Sequence, residues 1–518
     1  MKNNLYIFIG ISAFWLIFFL SIGLLNMGLH LDLEGYALFS IYFDNGQSIG
    51  HDMNVVWQAL RANMIAPVGI SYDLITCKLF GEKVQVARWG YLLIGILSSF
   101  LLFLVGRKMK FSIVLSLLFP AIAFLGQQFS VWYSIDNQEP IGLLFMSLSL
   151  YLTSLTDGKK GLLFDFLAIL AGLCMSLSKE TFILMLPALV VFKFYISHTN
   201  TQNTIKTSIL KSLLFATSLF IIFILEISYI LFVMKGTGRG YAGVSGTLGI
   251  AAYLKNFFYL FLVNDVYFYA LTGALLTGFA TGGNFFENIK KFVIKNFILL
   301  ALVLGIVIPQ VIVYARTGWL PRYYLPCFVG ISLFLVIVLN YLQSASTGIY
   351  KLFLILLVFY IGLEITPKIS DNPDQTFRHA RNHATFADNT EQLIASIVSK
   401  SKPNSLILIV TNPVENILQP KALSEYLQNF FHRTNIKHLS VNMPYKRFAN
   451  YKERQIAIPN DFGEIKDKSS IEHIVVMPYW DMLFIYETKS WFDPTKYDRY
   501  AFWELVHYVR KEDKSMGE

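Results

Sequence analysis

"LYIFIGISAFWLIFFLSIGLL", residues 5–25, is a run of twenty-one residues without a charge. As a helix it rises about 30 Å, the thickness of a bilayer's hydrocarbon core. Taken alone it is either a secretory signal or a first membrane span. It is longer than the roughly 7–15-residue apolar core of a signal peptide, and no small-residue cleavage site follows it. It is therefore expected to stay on the chain as a signal-anchor helix. Runs of the same kind recur at about 87–105, 111–126, 140–155, 161–177, 181–197, 212–234, 262–283, 297–315, 325–342 and 352–366. The expected architecture is an all-α polytopic membrane domain of about eleven spans, because lipid offers backbone groups no outside partner. Composition agrees: 55% of the 518 residues are hydrophobic and 15% charged, where soluble chains average about a quarter charged.

The net charge of +9 does not point to nucleic acid. Residues 1–369 hold 24 Lys+Arg against 15 Asp+Glu, whereas residues 370–518 hold 19 of each. The excess sits in the membrane half, on every second connection: Lys2, "GRKMK" (106–110), "DGKKG" (157–161), Lys193 with Lys206 and Lys211, "NIKKFVIK" (288–295) and Lys351. Cationic loops face the cytoplasm. This predicts a multi-pass protein of the plasma (inner) membrane, with a cytoplasmic N-terminus and residues 367–518 on the extracytoplasmic side.

The opposite face collects the reactive side chains. The long first outer loop (27–86) carries Asp32, Glu34, Asp44, His51 and Asp52; later outer segments carry Asp136, Glu139, Lys179, Lys235, Arg239, Arg316 and Arg322. A carboxylate at a membrane interface costs free energy unless solvated or paired, so acids and bases from five loops on one surface suggest a site. Each also has a plainer role: Asp136 can cap the Pro-started fourth helix, and Lys179 and Arg322 can snorkel from helix ends. An exposed acid near a hydroxyl can serve as general base. Arg suits bidentate phosphate contact, and Lys acts as a mobile point charge.

Residues 367–518 change character. "SLILIVT" (405–411), "KHLSVN" (437–442) and "IEHIVVM" (471–477) read as strands, and "PKALSEYLQNFFHR" (420–433) as an amphipathic helix. That predicts a small α/β domain following a membrane domain over 1–366. No glycine-rich phosphate loop or nucleophile elbow is present. His379 and His383 have i,i+4 spacing but no evident third ligand, and Cys77, Cys174 and Cys327 are too scattered for a disulfide frame or metal site. No tightly bound cofactor is expected; a carboxylate pair can hold a divalent ion, but no motif calls for one.

"LDLEGYALF" (31–39), residues 66–109 beginning "APVGISYDL", "YSIDNQEPIGLLFMSLSLYL" (133–152), "LAGLCMSLSKETFILMLPALVVF" (170–192) and "RYYLPCFVGISLFLVIVLN" (322–340) resemble, in order and spacing, the GT-C fold glycosyltransferases. They are most similar to the glycosyltransferase family 39 group, which includes protein O-mannosyltransferases and lipid A aminoarabinose transferases. The resemblance covers roughly residues 1–345. It implies a polyprenyl-phosphate sugar donor and a glycan, lipid or protein acceptor. It also implies an acid early in the first outer loop as catalytic base, which here matches Asp32 or Glu34. The family often writes the two acids adjacent, whereas this chain writes Asp-Leu-Glu, which leaves the base open between them. Asp136 matches a second acid. Lys179 matches a lysine after the fifth helix, and Arg322 with Tyr323 an Arg-Tyr pair before a late helix; these would hold the donor phosphate. Arg88 matches an arginine opening the second helix and reads as structural. His51, Asp52, Glu139, Arg239 and Arg316 are secondary candidates. Direct displacement would invert the anomeric centre.

Two other classes compete. A lipid-linked sugar polymerase or ligase uses similar donors but shares little of this motif order. A flippase or transporter would place ionisable groups near the midplane, where Glu226 is the main deep candidate.

Overall fold

A computed structural model describes residues 2–27, 54, 66–80, 84–132, 138–156, 160–199, 205–232, 250–251, 253–254, 265–281, 283–317, 325–366, 376–411, 418–440, 461–477, 488–503 and 505–511. Asp32, Glu34, Asp44, His51, Asp52, Asp136, Arg239, Arg322 and Tyr323 lie outside the described residues.

The apolar runs become helices, and two further helices join them: Pro67–Phe80, inside the expected first outer loop (27–86), and Phe285–Lys295, on an expected connection. They are α1 (Lys2–Ser21), α2 (Pro67–Phe80), α3 (Val84–Lys108), α4 (Ile113–Phe124), α5 (Glu139–Thr153), α6 (Gly161–Ser176), α7 (Leu186–Thr199), α8 (Ile205–Phe232), α9 (Asp265–Gly278), α10 (Phe285–Lys295), α11 (Phe297–Thr317), α12 (Leu325–Ala345) and α13 (Thr347–Ile365). Among the described residues six stretches are long and apolar enough to cross a membrane: Asn4–Ser21, Gln85–Lys108, Glu180–Thr199, Ser212–Phe232, Leu325–Ala345 and Thr347–Ile365. Four shorter apolar helices and the α10–α11 pair take the remaining sequence spans. The connection expected at 288–295 is itself helical: α10 meets α11 at 82°. Its lysines line one side of an amphipathic helix, with Lys291 paired to Glu287 at 3.0 Å; that is how an interfacial helix is built.

Burial sorts the helices. α12 is buried along most of its length and packs on α4, α9 and α11. α1, α8 and α13 bury few of their residues, as lipid-facing helices do. In lipid the bundle is held by close packing and buried polar contacts rather than by a water-driven hydrophobic effect. Gly142 of α5 shows the close packing, since a Cβ there would meet the Phe182 ring at 2.5 Å. The Ser332 hydroxyl of α12 donates to the Phe119 carbonyl of α4, and the Trp15 indole of α1 donates to Ser99 of α3 at 2.8 Å.

After α13 the chain forms α14 (Thr376–Lys400), β1 (Ile407–Thr411), α15 (Leu418–Phe431), β2 (Ile436–Ser440), β3 (His473–Val476), β4 (Tyr497–Phe502) and β5 (Leu505–Arg510). The sheet order is β2-β1-β3-β5-β4. β1 is parallel to β2 and β3, whereas β5 runs antiparallel to β3 and β4. Strand alternation divides the sheet's faces. Ile407, Ile409, Val475 and Leu505 join α14 and α15 in one core, and Leu408, Val410, Ile474, Val476 and Tyr508 join Phe492 in a second. The α/β reading of this region holds. α14 and the β4–β5 hairpin are additions that the sequence reading did not contain.

α14 seats this unit on the bundle. The Glu364 carboxylate at the end of α13 accepts from the Thr376 N–H at 2.9 Å and from its hydroxyl, and that hydroxyl oxygen accepts from the Gly126 N–H at 2.7 Å. A carboxylate at a helix N-terminus meets both orphan donors and the positive end of the dipole. Gly126 holds φ +110°, a region that favours glycine.

Candidate active site

Three chain segments meet around Lys179. The first is the end of α6 and the turn through Ser178 to the extended Lys179, which leads into a 3-10 turn over Glu180–Met185. The second is the start of α5 at Gln138–Glu139. The third is the start of α2, whose Val68 N–H donates to the Leu177 carbonyl at 3.0 Å. Gly69 lies so close that a Cβ would sit 2.7 Å from the Ser178 carbonyl oxygen and 2.5 Å from Gln138 Cγ. From α11, the Gln310 amide donates to the Thr181 carbonyl at 2.9 Å, pinning the turn from the far side.

At this junction Lys179 donates to the Glu139 carboxylate in an ion pair; both side chains are buried, Lys179 at 6% exposure and Glu139 at 1%. Glu139 opens α5, where the helix dipole favours negative charge. Burying either charge alone would cost several kcal/mol, so each accounts for the other's presence. Glu139 Oε2 and Glu180 Oε2 are buried and have no hydrogen-bond partner among the described residues. One ammonium thus stands beside two carboxyl groups with spare acceptor capacity.

The sequence-predicted residues divide as follows. Lys179 and Glu139, expected on separate outer loops, are brought into contact. Lys179 does not snorkel: it is buried and paired. Arg316 lies in the last turn of α11. The helix cap expected of Asp136 belongs to Gln138, with Pro140 following in the first turn. Gln138, Gly69, Glu180 and Gln310 were not singled out from the sequence. Of these, Glu180 carried a signal, as a second charge beside Lys179 at the head of an apolar run. Glu226 accepts from Ser176 Oγ at 2.7 Å. It lies six residues, about 9 Å along the axis, from the end of α8, so it sits toward this same end and not at mid-span. Among the described residues no three His, Cys, Asp or Glu side chains gather to hold a metal ion. The His379–His383 segment is helical, within α14.

An apolar groove lies along the next helix of the same segment. α7 follows the 3-10 turn directly, and between it and α8 lies a cavity of about 540 Å³ whose walls include Leu186, Val190, Ala216, Phe220 and Phe223.

The family model described as dolichyl-phosphate-mannose-protein mannosyltransferase matches residues 67–229, a span that contains α2, Glu139, Lys179 and the α7–α8 groove. Among solved structures, ArnT from Cupriavidus metallidurans bound to undecaprenyl phosphate is 11% identical. It aligns over 99% of this chain and 99% of its own, with a TM-score of 0.50. The Archaeoglobus fulgidus oligosaccharyltransferase in complex with zinc and sulfate is 11% identical over 86% of this chain and 64% of its own, with a TM-score of 0.42. No curated protein matches by sequence. The chain is a multi-pass membrane protein with the fold of the GT-C glycosyltransferases, and it resembles the family 39 and ArnT group within them.

Proposed function

We propose that this protein is a membrane glycosyltransferase that moves a sugar from a polyprenyl-phosphate donor to a glycan, lipid or protein acceptor on the extracytoplasmic face. One observation carries the reading: a buried, charge-balanced lysine lies at a three-segment junction within the stretch that matches the mannosyltransferase family model. The two relatives' printed ligands, dolichyl-phosphate-mannose and undecaprenyl phosphate, share a long isoprenoid on a phosphate. A cation seven residues ahead of Leu186, the first residue of an apolar groove, suits that chemistry.

In this reading Glu139 holds the Lys179 ammonium at the head of the groove, and the donor's phosphate meets it there together with Arg322 and Tyr323. The isoprenoid lies between α7 and α8. The acceptor hydroxyl attacks the anomeric carbon as the bond from that carbon to the phosphate oxygen breaks. Its proton passes to Asp32 or Glu34, and the departing phosphate takes the bonding pair. Donors aimed at the developing charge are worth about 10²–10³ in rate each. Attack opposite the leaving group inverts the centre. No tightly bound cofactor takes part.

The test uses purified protein in lipid nanodiscs with polyprenyl-phosphate mannose as the first donor, scored by released polyprenyl phosphate. Turnover is expected with wild type and is expected to fall at least 100-fold in Asp32→Asn or Glu34→Gln. Near-wild-type turnover in both variants would overturn the base assignment. Net movement of intact donor across the bilayer without release of polyprenyl phosphate would favour a flippase.

A further inference from the structure

Arg88 carries structure the proposed reaction does not use. It opens α3, is 1% exposed, and its Nε donates to the Met27 carbonyl at 3.0 Å. Met27 is the last described residue of the segment that follows α1. Asp32 lies five residues further on, at most about 18 Å of extended chain away.

Asp388 and Glu391, on the C-terminal helix α14, both act electrostatically on Arg88. Their placement has a register. Ala384, Asp388 and Glu391 are spaced i, i+4, i+7, one stripe of a helix. Ala384 Cβ lies 3.8 Å from where a Cβ on Gly23 would stand, and Gly23 takes φ +80° just before Met27. Further along, Glu391 accepts from Gln85 Nε2 at 3.5 Å, and Gln85 lies one turn ahead of Arg88 on α3. The stripe therefore runs along the exit of α1 and the entry of α3. A buried guanidinium needs an opposing charge, and α14 brings two acids toward it from a segment more than 290 residues away in sequence.

We infer that Arg88 is a positioning residue through which helix α14 fixes the start of the acid-bearing first loop. The C-terminal region thereby forms part of the transferase machinery without touching substrate. The catalytic half of this statement rests on the function proposed above; the mechanical half does not.

The experiment reads both halves in the full-length protein in nanodiscs. Arg61 is the sole basic residue between Met27 and Ala66, so trypsin cleavage after it reports on how firmly that loop is held. The variants are Asp388→Asn with Glu391→Gln, which alters exposed side chains, together with Arg88→Gln and Arg88→Lys. The expected result is at least fivefold faster cleavage in the acid double variant and in Arg88→Gln, and a rate within twofold of wild type in Arg88→Lys, which keeps the charge and a donor. In the transfer assay kcat should fall about tenfold in the double variant, with donor KM within twofold and an unchanged melting temperature. Cleavage rates equal to wild type, including no cleavage in any variant, overturn the inference. A loss of kcat without faster cleavage overturns it as well. Should wild type transfer no sugar, the proposed function fails, while the cleavage ratio still decides whether α14 holds the loop.

Discussion

Acid should loosen the C-terminal sheet where β3 meets β5, because two histidines are buried there as neutral rings. His473 on β3 and His507 on β5 are 2% and 0% exposed. His473 Nδ1 and His507 Nε2 are 3.1 Å apart, and His507 Nδ1 bonds to Ser396 of α14 at 2.9 Å. Burial is the largest cause pushing His473 down to about 4 and His507 down to about 3. Arg433 lowers His473 further and Glu472 opposes this, while His473 and Lys400 each lower His507. Lys400 also lies 4.3 Å over the ring of Tyr500, the residue opposite His507 on β4. The unfolded rings titrate near 6.5. Below that pH the unfolded chain binds protons that the folded sheet refuses, so stability is complete above 6.5 and falls with pH toward the folded values. Linkage gives about 0.8 kcal/mol per histidine at pH 6 and about 2 kcal/mol per histidine at pH 5. Hydrogen exchange of the β3 and β5 amides in the solubilised full chain, corrected for intrinsic rate, measures this. The opening free energy should fall by about 4 kcal/mol between pH 7.5 and 5. The slope should flatten in His473→Gln with His507→Gln. An opening energy constant across that range, or a slope that survives both substitutions, would refute the burial argument.

Further outcomes follow from the site. Glu139→Gln should leave Lys179 with a stronger call on an anion and raise affinity for undecaprenyl phosphate several-fold. Lys179→Met should abolish that binding and destabilise the bundle by about 3–5 kcal/mol by stranding a buried carboxylate; calorimetry and thermal melts separate the two. Gly69→Ala forces a methyl onto the Ser178 carbonyl and should cost about 1–3 kcal/mol, read as a lower melting temperature. Ala216→Phe fills the α7–α8 groove and should raise donor KM at least fivefold with little change in kcat; an unchanged KM would remove the isoprenoid from that groove. Glu364→Leu leaves the Thr376 donors without their carboxylate and should destabilise the α13–α14 junction by about 1–3 kcal/mol.

The membrane fold was legible in sequence because each span answers to a local rule. A helix in lipid satisfies its own backbone, so an apolar run of sufficient length declares itself, and each expected run carries a described helix; α2, inside the expected first outer loop, did not declare itself. The parallel strands β1, β2 and β3 announced themselves in the same way, as short runs rich in β-branched residues. The β4–β5 hairpin did not: β4 is an exposed edge strand whose outward residues, Asp498 and Arg499 among them, break the apolar pattern. α14 was hidden by its polar face, although Phe377, Ala380, Ala384 and Ala387 trace a buried stripe at helical spacing.

Side-chain partners were another matter. The sequence by itself determined that Lys179 and Glu139 stand at helix ends on one side of the chain's weave, since hydropathy and the positive-inside rule act on each segment separately. Only the tertiary structure decided that they meet, that Gly69 lets a third helix press against them, and that α14 brings two acids toward Arg88. Pairing of that kind depends on which helices lie side by side. The close approach is set by packing between segments, such as Gly142 against Phe182, and a buried charge keeps its place only where a partner from another segment is already waiting.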